Sequence, residues 1–139
     1  MTGIVELEKL LSSINPKLVE GEFIFCTLPG DLSDYAHLNP LSSFIESEGL
    51  SLVLSKDNAK SANIKFEHTY RQITLTVHSS LEAVGLTAAV STKLASKNIS
   101  ANVISAFFHD HIFVQSDKAE DALKALHELS TTNNNYTRM

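Results

Sequence analysis

The residue types in this 139-residue chain that can do chemistry gather in two places. In the first, Ser79 stands three residues before Glu82, so its hydroxyl can accept from the Glu82 amide while that carboxylate reaches back to the Ser79 amide, a capping box that predicts a helix start. The amides of Ser80, Leu81 and Glu82 would be unpaired there and could receive a carboxylate together with the Ser79 hydroxyl. Gly85 falls in the first turns of that helix, where glycine costs roughly 1 kcal/mol relative to alanine, and close approach of a ligand or a neighbouring strand is the simplest reason for it. Asp110 can pair with an ammonium group and Asn102 can fix orientation. Each residue also has a plain structural use: Ser79 as a cap, Gly85 as room for a helix on a sheet, Asp110 as a hairpin turn.

The second place is His109-Asp110-His111. Two histidines at i and i+2 of an extended segment point to one side, and with His78 or His68 they could hold zinc or nickel. Asp110 or Glu82 would then serve as base for a metal-bound water, which defines a metal-dependent hydrolase as an alternative reading. The pattern has little specificity: there is no HExxH and no CxxC, and a hairpin with polar turn residues accounts for it equally. Cys26 sits in an apolar run where its thiol would stay protonated, so it makes a poor nucleophile. No dinucleotide-binding, phosphate-loop or nucleophile-elbow motif occurs, and five glycines leave little material for one. The expectation is a protein without catalytic activity, cofactor or metal.

These residues must be positioned by the elements around them. Residues 72–77 alternate, with Ile73, Leu75 and Val77 on one face, and predict a half-buried strand. Ala83, Leu86, Val90 and Leu94 form one helical stripe ending at Lys97-Asn98. Residues 99–108 predict a strand, His109-Asp110 a turn, and Ile112 to Val114 a further strand. Ser116 or Asp117 caps a last helix whose inner stripe is Ala119, Ala122, Leu123, Leu126 and Leu129, and residues 131–139 read as a frayed tail. The second half is therefore βαββα, without the fourth strand that an open-faced sandwich of this order uses. The exposed edge must be completed by the first half or by another subunit.

In the first half, Ile4, Leu7, Leu11 and Ile14 predict an amphipathic helix with Asn15-Pro16 as its stop. Phe23 to Leu28 is nearly all apolar and predicts a strand buried on both faces. Residues 31–48 read as a loop with one helical turn around Leu41 to Ile45. Leu50, Leu52 and Leu54 mark a second strand, and Ser55 or Asp57 caps a short helix with Ala59 and Ala62 inward. A charge of −5 and scarce aromatics argue against nucleic acid. No apolar stretch approaches the about 18 residues of a membrane span, and a single cysteine without a signal-like start predicts a cytoplasmic, soluble protein.

The run from His78 to Val114, with His78-Ser79-Ser80, Gly85, LASKNIS at 94–100, Asn102-Val103 and HDHIFV at 109–114, resembles an ACT domain, the βαββαβ module that binds amino acids and regulates other proteins. It is most similar to the modules of aspartate kinases and arginine sensors. EGEFIFCTLP at 20–29 and EGLSLVL at 48–54 resemble the partner half of small bacterial tandem ACT-like proteins. The resemblance implies an α+β, ferredoxin-like open-faced sandwich in two halves, residues 1–68 and 69–130, followed by the tail. It implies an amino-acid-binding regulatory homodimer whose ligand touches Ser79, Ser80, Leu81, Glu82, Val84, Gly85, Asn102, His109 and Asp110. An assembly module that binds no small ligand is the other alternative.

Overall fold

The computed structural model describes residues 9, 11–76 and 85–138, the last eight through their backbone. Helix α1 (9 and 11–13) leads into β1 (Pro16–Leu18) and β2 (Phe23–Leu28), then α2 (Leu32–Tyr35), a 3-10 turn, the hairpin β3 (Ser42–Glu46) and β4 (Gly49–Ser55), and α3 (Lys56–Ser61). The order then repeats as β5 (Tyr70–Leu75), α4 (Leu86–Ser96), the hairpin β6 (Asn102–Ser105) and β7 (Asp110–Gln115), and α5 (Ala119–Arg138). The strands form one antiparallel sheet in the order β3-β4-β2-β5-β7-β6, with β1 also paired to β5. This is the α+β, ferredoxin-type arrangement in two halves.

The edge beside the second half is completed from within the chain. β1 pairs with β5 in the register Pro16↔Leu75 to Leu18↔Ile73, and so occupies the place of the fourth strand. Asn15-Pro16 is thus a helix stop that is also a strand start, since proline is tolerated at the first position of an edge strand. Beyond β1 the chain leaves β5 and returns to it through Phe23↔Tyr70, so β5 also flanks the first half.

The helices cover one face. Ile73, Leu75, Ile112 and Val114 pack under α1, α4 and α5, and Ile24, Leu50, Leu52 and Leu54 under α3 and the 3-10 turn. α3 begins on its expected cap, Ser55 accepting from Asn58 N–H at 3.1 Å. α3 and α4 both end on an asparagine with positive φ, Asn63 and Asn98, which lets Ile64 and Ile99 donate back to Ala59 and Leu94 at 2.9 and 3.0 Å.

Several expectations are corrected. Residues 131–138, expected as a frayed tail, continue α5. Ala62, expected inward, is exposed at the C-cap of α3. β2 is buried on one face only: Ile24 is fully buried, while Phe25 keeps 38% of its surface on the face without helices. Residues 42–46, expected in a loop with a helical turn, are the strand β3; Phe44 and Ile45 are exposed on its two faces, so no alternation marks it. The strand expected over 99–108 is confined to Asn102–Ser105, and the hairpin turn lies at 106–109, where Ala106 N–H donates to the His109 carbonyl at 3.0 Å. Asp110 is therefore the first residue of β7 and not part of the turn.

A polar cluster ties the halves together. The Glu22 carboxylate accepts from Ser116 Oγ at 2.8 Å and pairs with Lys56 Nζ at 3.3 Å, and Ser116 Oγ lies 2.8 Å from Thr69 Oγ1. Hydrogen bonds from Thr69, Ser116 and Lys56 hold the Glu22 carboxyl at about 2, below its usual 4.5. A depressed carboxyl pKa adds stability above the unfolded value, which is lost as pH falls from about 4.5 through about 2. Glu22→Gln should lower stability by about 1 kcal/mol at pH 7, allowing for solvent screening of a side chain a third exposed, and should flatten the acid limb of a urea-midpoint profile over that window.

Candidate functional site

Ser79, Ser80, Leu81, Glu82 and Val84, together with the expected capping box, lie outside the described residues. The residues that flank them are described. β5 ends at Leu75, and α4 begins at Leu86 with Gly85 as its N-cap residue at φ 99°. Gly85 is therefore not inside a helix, as its spacing suggested. A left-handed backbone angle is itself the reason for glycine, because a Cβ there would crowd the carbonyl.

Asp110 stands opposite Leu75 on one side and Ser105 on the other, so it lies at the end of β5 from which the chain runs toward Ser79. By the alternation of β7 it shares the helix-covered face with Ile112 and Val114. His109 precedes it, with a buried Nδ1 that has no hydrogen-bond partner among the described residues. Asn102 is elsewhere: it is exposed and opposite Phe113, three residues farther along β7 than Asp110. At about 3.3 Å per residue that is about 10 Å away, on the opposite face of the sheet. The structure places Asp110, with His109 before it, at the Leu75 end of the second half and leaves Asn102 apart.

His111 faces the open side of the sheet, where its Nδ1 lies 3.0 Å from Gln72 Nε2 and 3.0 Å from Thr74 Oγ1. With Nδ1 accepting from the Gln72 amide, the ring proton sits on Nε2. Gln72 is buried, and this bond satisfies it. His68 precedes Tyr70, which pairs with Gln115, and so lies at the other end of β5 from His109; His78 is outside the described residues. Among the described residues no group of three or more histidine, cysteine, aspartate or glutamate side chains is placed to hold a metal ion.

The open face carries a feature that the sequence reading missed. Phe25, Thr27, Ser42, Phe44, Val53 and Ile104 line an apolar groove of about 520 Å³. Ile104 belongs to β6 and Phe44 to β3, the two ends of the strand order, so the sheet curls enough for both to reach one groove. Its floor is stiffened by edge-to-face rings: Phe25 lies 4.8 Å from Tyr70 and 5.6 Å from Phe113, and Phe23 lies 5.9 Å from Phe113. Gly49 lets β2 and β4 close there, since a Cβ would stand 2.6 Å from Thr27 Oγ1. The alternation of Phe23, Phe25 and Thr27 was the available signal.

Burial lowers the His111 pKa below its usual 6.5, with His109 adding to the shift and Asp110 opposing it. A histidine whose folded pKa is depressed favours the folded state above the unfolded value, and that contribution is lost as pH falls below about 6.5. In His111→Asn the difference between urea midpoints at pH 7.5 and 5.5 should be smaller than in the parent chain; an equal difference would assign the acid sensitivity elsewhere.

Comparison with known proteins follows the same lines. Models of the ACT domain match residues 2–71 and 67–128. A crystallised protein of unknown function from Vibrio cholerae, described as a possible transport protein, is 54% identical over 92% of this chain and 98% of its own, with a TM-score of 0.85. The ligand-free regulatory subunit of aspartate kinase from Thermus thermophilus is 12% identical over 84% of this chain and 97% of its own, with a TM-score of 0.63. Aspartate kinase from Clostridium acetobutylicum is 11% identical over 86% of this chain and 34% of its own, with a TM-score of 0.61. At those last two identities the likeness is one of fold. No curated protein matches the sequence.

Proposed function

We propose that this chain, which belongs to the ACT domain family, is a cytoplasmic homodimeric regulator that binds an amino acid and has no catalytic activity of its own. The observation that carries the reading is the pair of ACT matches, one on each half, joined to a fold shared with a regulatory subunit of aspartate kinase. The domain division follows the resemblance: one ACT-like half over 1–68 and a second over 69–130, with α5 running on to Arg138.

In this reading the ligand carboxylate sits on the amides of Ser80, Leu81 and Glu82 with the Ser79 hydroxyl, beside Val84 and Gly85, while Asp110 takes the ammonium group and His109 lies next to it. The position of Asp110 opposite Leu75 supports this, because Leu75 is where β5 ends before the segment that carries Ser79. Asn102, at the other end of β6 and on the other face, is left out of the proposed contacts.

Only the folded state offers such a site, so binding should appear as stabilisation. At a ligand concentration one hundred times its dissociation constant the gain is about 2.7 kcal/mol, or roughly 10 °C in Tm for a chain of this size. One amino acid in a panel of twenty should stand out in a thermal-shift assay. Asp110→Asn should reduce its shift by more than half while leaving the ligand-free Tm within about 2 °C. Zinc or EDTA should leave the Tm unchanged, whereas a zinc-dependent rise lost in His109→Ala would favour the hydrolase. No shift from any amino acid at millimolar concentration would leave the assembly module as the better reading.

A further inference from the structure

The groove on the open face is the feature of the molecule that the amino-acid reading leaves without a use, since Asp110 stands on the helix-covered face. Its volume of about 520 Å³ falls among small-molecule pockets, which run from about 300 to 1,000 Å³. Phe25 and Phe44 keep 38% and 71% of their surface, so both rings have free area to offer a ligand. Val53 and Ile104 add aliphatic surface to the lining. Aromatic rings prefer offset or edge-to-face neighbours about 4.5–7 Å away, so a lining of this kind favours a flat ring over a branched chain.

The polar end of the groove decides what else the ligand carries. Phe44, Ser51 and Thr27 stand in one row across β3, β4 and β2, through the pairs Phe44↔Ser51 and Thr27↔Ser51. Farther along β3, Glu46 shares the face of Phe44 and lies opposite Gly49, which has no side chain to cover it. Ser51 Oγ donates to the Glu46 carboxylate and so holds it at this end of the groove. A carboxylate has about four lone-pair sites, and Ser51 uses one of them. Among the described residues no cation pairs with Glu46, and no charged side chain lines the groove. Lys17 shares the open face through its pairing with Thr74, but it belongs to β1 at the Leu75 end.

We infer that this groove binds a small arylalkyl amine, with its ring against Phe25 and Phe44 and its ammonium group on Glu46. An ammonium ion there gains a charge-assisted hydrogen bond and lies near the Phe44 ring, which attracts cations. A carboxylate would meet Glu46 with no cation among the lining residues to offset the repulsion. An amino acid brings both groups and is disfavoured by the same repulsion. The groove is therefore a second site, on the other face of the sheet from Asp110, and it does not rest on the amino-acid reading.

The test is isothermal titration calorimetry of the full chain with probes that share a phenyl ring and differ at the chain end: phenethylamine, phenethyl alcohol, hydrocinnamate and phenylalanine. At neutral pH phenethylamine should bind at least about tenfold more tightly than the alcohol, and hydrocinnamate should not displace it. Glu46→Gln should lower the affinity for phenethylamine to that for the alcohol and leave the alcohol unchanged. Phe44→Ala should weaken both, and Asp110→Asn should change neither. Glu46 and Phe44 are exposed, so these variants should keep the far-UV circular dichroism of the parent chain. No binding of phenethylamine at millimolar concentration, or its displacement by hydrocinnamate, would overturn the proposal. An unchanged affinity in Glu46→Gln would do the same. Displacement of phenethylamine by phenylalanine, lost in Asp110→Asn, would place the amine in the amino-acid site instead, whereas phenylalanine that binds without displacing it would uphold two separate sites.

Discussion

Everything in this fold depends on β5 having two partners on one flank. Its Leu75 half is paired with β1 and its Tyr70 end with β2, while β7 runs along the whole of the other side. A βαββα run has three strands and two helices, and needs a strand on the outer side of its first one to bury the helices it carries. The first half supplies that strand before beginning its own hairpin, so α1 and β1 complete the second half although they precede the first. Leu11 and Ile14 sit in the core with α4 and α5, and Ser130 Oγ donates to the Ser12 carbonyl at 3.3 Å. The two halves in sequence are not two separable bodies in space.

One-sided helix cover follows, and it leaves the open face to manage its own apolar surface. Phe23, Phe25, Tyr70 and Phe113 do so by stacking edge to face, and Phe113 is 1% exposed without a helix above it. Polar side chains on that face must find partners across strands, as Gln72, Thr74 and His111 do. Curling brings Ile104 and Phe44 into one groove. The curl ends at β3, which among the described residues has a neighbour on one side only and whose Phe44 and Ile45 are exposed.

Burial against a helix is what made elements legible in the sequence. Leu50, Leu52 and Leu54 alternate because one face of β4 is core, and Leu86, Val90 and Leu94 recur at helical spacing for the same reason. Where burial is absent or two-sided the pattern fails. β3 exposes both faces and reads as a loop; β2 is apolar on both faces and reads as doubly buried, because rings packed on rings look in sequence like rings packed on a core. β1 was hidden by Pro16, and the turn at 106–109 by Phe107 and Phe108, which are 71% and 63% exposed and carry strand propensity into a bend. For Gly85 and Asp110 the spacing misjudged the local structure: Gly85 is the N-cap residue of α4 with a left-handed angle instead of a residue inside the helix, and Asp110 opens a strand instead of making the turn.

The junction between the halves is narrow for the length of sheet it joins. β2 and β5 share one residue pair, Phe23↔Tyr70, whereas β2 and β4 share six. What holds the crossing is therefore mostly side-chain chemistry: Glu22 with Lys56, Thr69 and Ser116 at one edge, and the rings of Phe25, Tyr70 and Phe113 on the open face. These act on the Tyr70 end of β5, while His109 and Asp110 belong to the Leu75 end, a full strand away. Between them lie Ile73 and Gln72, both buried, one under the helices and one bonded to His111. That ladder of β5 and β7 runs unbroken from the Leu75 end to the crossing, so a displacement at one end has a packed path to the other, since packed interiors transmit strain instead of absorbing it.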